Sequence, residues 1–137
     1  MWQAYCAFYE TSVPQRVTDS TWQRILARDS AIHSILAVRM PGEEALGFAN
    51  YVVHPFTWSE RSACYLEDLF VHPQARGCGV GRALIDDLIA RCDRHRWARL
   101  YWMTRESNAP ARRLYERFAQ PDDFVRYTVE RDALADT

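Results

Sequence analysis

At 137 residues and 16.0 kDa, with a net charge of −1 and a pI near 6.4, the chain suits a single domain (residues 1–137) and lacks the basic excess of a nucleic-acid binder. Hydrophobic residues make up 48% and aromatics 13%, a composition that excludes a disordered chain. No apolar run approaches the ~20 residues that span a bilayer, and no leader is visible, so a cytoplasmic protein without a membrane role is expected.

In chain order, Trp2, Tyr5, Cys6 and Tyr9 recur at helical spacing and predict a first helix over residues 2–10. A second helix is expected from an Asp19/Ser20 cap, carrying Trp22, Ile25 and Leu26. Ile32–Met40 and Ala45–His54 read as strands joined by a Pro41-Gly42-Glu43 turn, a hairpin. After the Pro55–Arg61 loop, Ser62–Val71 forms a third strand. Arg82 to about Arg94 is an amphipathic helix, with Leu84, Leu88 and Cys92 on one face and Arg82, Asp86 and Arg91 toward the other. Ala98–Met103 is a strand, Asn108–Phe118 a helix capped by Ser107 or Asn108, and Phe124–Val129 a closing strand. That order describes an α/β sandwich around a mixed sheet. Cys6, Cys64, Cys78 and Cys92 form no C-x-x-C pair, and the four histidines are scattered singly, so free thiols and no metal site are expected.

The densest chemistry lies between the third strand and the following helix. Gly77, Gly79 and Gly81 leave the backbone bare where the chain turns into a helix N-terminus. Amides there can converge on an anion, with the positive end of the helix dipole behind them. A P-loop is excluded because the chain contains no lysine. The dinucleotide fingerprint needs G-x-G-x-x-G directly after a strand, whereas here the glycines run G-x-G-x-G and His72–Arg76 intervene. A turn that merely packs a helix close to a sheet is the plainer alternative.

What remains, Arg76-x-x-Gly79-x-Gly81 preceded by Val71-His72-Pro73 and followed by Arg82-Ala83-Leu84-Ile85, closely resembles the acetyl-CoA-binding segment of the GNAT N-acetyltransferase superfamily. One strand later, Asn108-x-x-Ala111-x-x-Leu114-Tyr115 resembles a second segment of that family. The first helix and the Leu66–Val71 strand are similar to its small histone- or polyamine-acetyltransferase-like branch. The resemblance covers about residues 32–118.

It implies a GNAT-type mixed sheet flanked by helices, in which two parallel strands splay at the cofactor site. Those strands are Tyr65–Val71 and Ala98–Met103, and the family's N-terminal strand is missing. By the same resemblance Leu69, Phe70 and Val71 bond the pantetheine arm. The amides of Arg76, Gly77, Cys78, Gly79, Val80, Gly81 and Arg82 hold the pyrophosphate of coenzyme A. Asn108 and Arg112 share a ligand-facing side of the last helix with Tyr115, which protonates the departing thiolate. Charge-assisted hydrogen bonds contribute roughly 1.5–3 kcal/mol each, so a handful suffices for a micromolar affinity of about 8 kcal/mol.

The implied reaction is direct attack of a primary amine, of a small molecule or a peptide, on acetyl-CoA in a ternary complex. An ammonium of pKa ~10.4 must first lose a proton, which a positioned carboxylate assists. Glu67 is the first candidate base and Asp68 the second. Alternation puts Glu67 on the face of Leu69 and Val71, unless a bulge intervenes. Tyr51, Trp58, Trp102 and the Pro55–Arg61 loop are the expected acceptor pocket. An open sheet edge left by the missing strand makes a homodimer plausible. The competing functional class is a non-catalytic acyl-CoA-binding module, and after it a nucleotide-binding protein.

Overall fold

A computed structural model describes residues 1–131. Two helices, α1 (Trp2–Phe8) and α2 (Gln15–Leu26), precede three strands, β1 (Ile32–Arg39), β2 (Glu44–His54) and β3 (Ala63–Val71). A 3-10 turn at Pro73–Ala75 leads to α3 (Val80–His95), followed by β4 (Arg99–Trp102) and α4 (Ala109–Tyr115). The strands form one mixed sheet in the order β1-β2-β3-β4, antiparallel through β3 and parallel between β3 and β4. This is the helix-flanked mixed sheet that the sequence predicts, and β1 forms one edge of it.

Three boundaries differ from expectation for local reasons. Helix α2 starts at Gln15, well before the Asp19/Ser20 cap, because the Pro14 carbonyl accepts the Val17 and Thr18 amides at 2.9 and 3.2 Å. Asp19 instead sits inside the helix, accepting a 2.8 Å hydrogen bond from Gln15. Helix α3 starts at Val80 rather than Arg82, since Gly79 completes the turn in the left-handed region at φ 80°. The predicted closing strand is absent: 124–129 is irregular, and Phe124, Val125, Tyr127 and Val129 are 73–92% exposed. Its apolar pattern suits a strand, but a strand exists only with a hydrogen-bonded neighbour, and no described strand pairs with it.

The two faces of the sheet differ. On one, Ala49, Tyr51, Cys64 and Leu66 meet Val80, Leu84, Ile85 and Leu88 of α3 in the apolar core. Polar residues of α3 turn outward and pair along the helix, Arg82 with Asp86 and Arg91 with Asp87. On the other face, Phe48 and Phe70 stack across the β2–β3 ladder and receive Trp2 and Tyr5 of α1. A β-bulge separates the two halves of β3. Tyr51 pairs with Leu66 and Asn50 with Asp68, so Glu67 is the extra residue. Leu66 therefore shares the core face with Leu69 and Val71, while Asp68 and Phe70 look toward α1. Simple alternation does not run through this bulge, which puts Leu66 and Asp68 on opposite faces.

Candidate active site

Strand β3 pairs with β4 only from Ala63 to Leu66, opposite Arg99 to Trp102. Past the bulge, Asp68 to Val71 pair with β2 alone, and Glu67 pairs with neither neighbouring strand. Successive residues of a strand turn their backbone groups to opposite edges, so part of the N–H and C=O set of Glu67–Val71 points into a gap. Leu69, Phe70 and Val71 all lie on this one-sided stretch.

The gap runs toward the glycine loop. Gly77 and Gly79 adopt φ 77° and 80°, and a Cβ on either would meet nothing within 4 Å, so their backbone is open on that side. No side chain caps α3, and its first internal bond is from Ala83 N to Gly79 O. The amides of Val80, Gly81 and Arg82 thus stand unused at the positive end of a 16-residue helix. This fits a diphosphate. Arg76 reaches back to donate to the Val71 carbonyl at 3.2 Å, tying loop to strand end. Cys78 is exposed, its Sγ directed at the Arg76 carbonyl. Gly81 has a packing task as well: a Cβ there would lie 2.9 Å from Leu114 of α4.

Helix α4 closes the opposite side. Tyr115 packs edge-on against Trp102, ring centroids 5.5 Å apart. Burial, with Tyr9 nearby, pushes its phenol up to about 12, so it stays protonated at neutral pH. Asn108 caps the helix by accepting from Ala111 N at 3.5 Å, and donates to Thr104 at 3.1 Å. Arg112 is engaged with the Glu106 carbonyl and with Glu116, each at 3.1 Å. Both side chains named as ligand contacts therefore hold the helix's own ends in this structure.

The two carboxylates sit at the bulge. Glu67 is raised above the usual carboxylate range by partial burial first, then by the neighbouring Asp68. Asp68 is raised by burial, against which Asn50 and Tyr5 act as donors that lower it. Asn50 Nδ2 donates to Asp68 Oδ2 at 3.0 Å. Among the described residues, no arginine or histidine forms an ion pair with either acid.

Part of the expected acceptor pocket is elsewhere. Tyr51 is 5% exposed and belongs to the core on the α3 face, against Trp97 and His33. Trp58 is 82% exposed on the Pro55–Arg61 loop, before β3, at the end of the strand away from the glycines. Trp102 does border the gap, through Tyr115. Helix α1 supplies what sequence reasoning missed: Tyr5 near Asp68, and Tyr9, tilted against Tyr5 with ring centroids 5.1 Å apart, near Tyr115. The helical tyrosine stripe was the available signal, and it reads first as packing. Together these groups offer an anion cradle, a slot for an extended polar chain, two acids and a protonated phenol.

The acetyltransferase (GNAT) family model matches residues 1–119. A D-amino-acid N-acetyltransferase of Saccharomyces cerevisiae is 33% identical over 127 residues, covering 93% of this chain and 79% of that protein. An integron cassette protein from the mobile metagenome of V. cholerae shares the fold with a TM-score of 0.78 at 24% identity, over 98% of this chain and 85% of its own. The ribosomal-protein-alanine N-acetyltransferase of Brucella melitensis biovar Abortus shares it at 0.74 and 24% identity, over 94% and 90%. Taken with the half-paired β3 strand and the uncapped glycine turn, these matches establish that the chain belongs to the GNAT acetyltransferase family of enzymes.

Proposed function

We propose that this enzyme acetylates the primary amine of a small molecule or peptide, using acetyl-CoA, by direct attack with both substrates bound. The observation that carries the reading is the stretch Asp68–Val71, paired on one edge only and leading into the uncapped N-terminus of α3. Acetyl-CoA supplies an activated acyl thioester. The chain's residues then have separable tasks. Gly77 to Arg82 receive the diphosphate on backbone amides, and Leu69 to Val71 bond the pantetheine amides. Glu67 and Asp68 attract the ammonium and accept its proton, their pKa values raised toward the range useful to a base. Tyr115 holds a proton for the leaving sulfur. Cys78, on the glycine loop, would lie at the pyrophosphate rather than the thioester, so no covalent relay is invoked.

The S. cerevisiae relative's name puts amino-acid amines first among acceptors to try. The free edge of β1, where Leu36 and Val38 are 56% and 41% exposed, is the surface proposed for a homodimer. A cytoplasmic location is part of the same proposal. Thiol release from acetyl-CoA across a panel of amines tests the reaction, with Tyr115→Phe as the control at the leaving group. Release that depends on an amine and falls in the variant supports it. Binding of coenzyme A without release on any amine overturns it.

A further inference from the structure

Two adjacent acids at one site raise the question of whether both do the same work. We infer that they do not: Asp68, clamped by Asn50 beneath Tyr5, anchors the acceptor's ammonium, and Glu67, unclamped on the bulge, removes its proton. This rests on the amine-acetylation reading above.

The clamp is built from three elements. Asn50 is the buried polar residue of the core set, 8% exposed, and a buried amide is retained at low cost only when bonded. Its Nδ2 donates to Asp68 directly across the β2–β3 ladder, at 3.0 Å. From above, Tyr5 is held by Trp2 at 5.6 Å and by Phe48 at 5.9 Å. Phe48 and Asn50 are two apart on β2 and share a face, which puts Tyr5 on the same side of the sheet as Asp68. A carboxylate that accepts a hydrogen bond from a buried amide is fixed in place, and that bond offsets part of the burial that raises its pKa.

Glu67 contrasts with it. As the bulge's extra residue it is exposed, and only partial burial and the charge of Asp68 act on it. Facing Asp68 are Tyr5 and Cys6 from α1, Asn50 from β2, and Glu67 and Tyr65 from β3, with Tyr115 of α4 beyond Tyr5. None of these is a cation; Arg126 acts on Tyr65 but on neither acid. The two negative charges are therefore left for a cation from outside, and an ammonium fits. On proton transfer, one N–H bond of the ammonium breaks and an O–H bond forms on Glu67, leaving a neutral amine and a neutral carboxyl beside the still-ionised Asp68. Asn50 is thus a positioning residue, acting through Asp68.

Two measurements test this on the full chain. The first is a carboxyl ¹³C NMR titration of the free protein, with n-butylammonium as the cation probe. Tyr5→Phe and Asn50→Ala are each expected to raise the Asp68 midpoint and leave that of Glu67 nearly in place. The probe should perturb the Asp68 carboxyl. Unmoved Asp68 midpoints in both folded variants, or a probe that perturbs Glu67 alone, overturn the clamp. The second is steady-state kinetics on the best amine of the panel. Asp68→Asn is expected to raise acceptor KM about tenfold or more, with Tyr5→Phe and Asn50→Ala moving it the same way by less. Glu67→Gln should lower kcat and remove the acid limb of the pH profile, with KM little changed. The reverse assignment of KM and kcat effects overturns the division of roles. If no amine turns over while the NMR behaviour is as stated, the acetylation reading fails and the ammonium site at Asp68 stands.

Discussion

The two faces of the sheet carry different kinds of side chain, although they are built by the same strands. Against α3 the contacts are mainly aliphatic, with Leu66, Leu84, Ile85 and Leu88 at most 4% exposed, joined by Tyr51 and Cys64. Against α1 they are aromatic and polar: Phe48, Phe70, Asn50 and Asp68 under Trp2 and Tyr5. A face filled with aliphatic groups gains stability from burial and has no chemistry to offer. A face that buries an amide and an acid gives up some of that gain, and natural proteins accept such a loss chiefly at working sites. The boundary between the two behaviours on β3 is one residue, Glu67, whose insertion turns Asp68 away from the core.

Substitutions on the two faces should therefore fail in different ways. The largest effect is expected from Glu67→Gln, which should lower kcat by about 10²–10⁴-fold while the protein remains folded by circular dichroism. A Glu67→Gln enzyme with ordinary turnover would remove the catalytic meaning of the bulge. Leu88→Ala, on the fully buried side, should cost about 2–5 kcal/mol in denaturant unfolding. The shape of its pH–rate profile should not change. A profile altered as strongly as by Glu67→Gln would mean that the faces are not separable.

Gly79→Ala probes the cradle that joins them. An alanine at φ 80° costs about 1–2 kcal/mol in backbone strain, and part of this should appear as weaker coenzyme A binding by calorimetry. Unchanged affinity together with unchanged stability would remove Gly79 from the site. The smallest effect is in the pH dependence of stability. Asp68 has a folded pKa above its unfolded value, so the native state takes up its proton first as pH falls. Its destabilising contribution is fully present at neutral pH and is relieved as pH falls through the folded pKa. Melting curves should therefore show wild type gaining on Asp68→Asn, by about 1–3 °C, as pH drops from 7 toward the upper carboxylate range.

What could be read from the sequence was whatever depends on near neighbours. The strand, glycine turn and helix from Ala63 to His95 were legible because a glycine at positive φ, a free helix end and an apolar stripe are local matters. The start of α2 escaped because Pro14, through its carbonyl and fixed φ, did the work expected of Asp19 or Ser20. The parity of Glu67 and Asp68 was open because a bulge is settled by the opposite strand, here at Asn50 and Tyr51. Tyr51 was misplaced for the same reason. Tyr5 lies more than sixty residues from Asp68 in sequence, and no spacing rule connects them. The segment 124–129 shows the converse: a strand pattern was present and the ladder was not.

Gly81 also fixes a length. Its missing side chain lets α3 come against Leu114, the residue before Tyr115. In the proposed reading, helix α3 begins where the diphosphate would be held, and Tyr115 stands where the sulfur would leave. The absence of one methyl group thus acts as a gauge for the span between those two points, matched to a donor arm of fixed reach. Widening it by a single carbon would require Leu114 to yield, and the phenol would move with the helix that carries it.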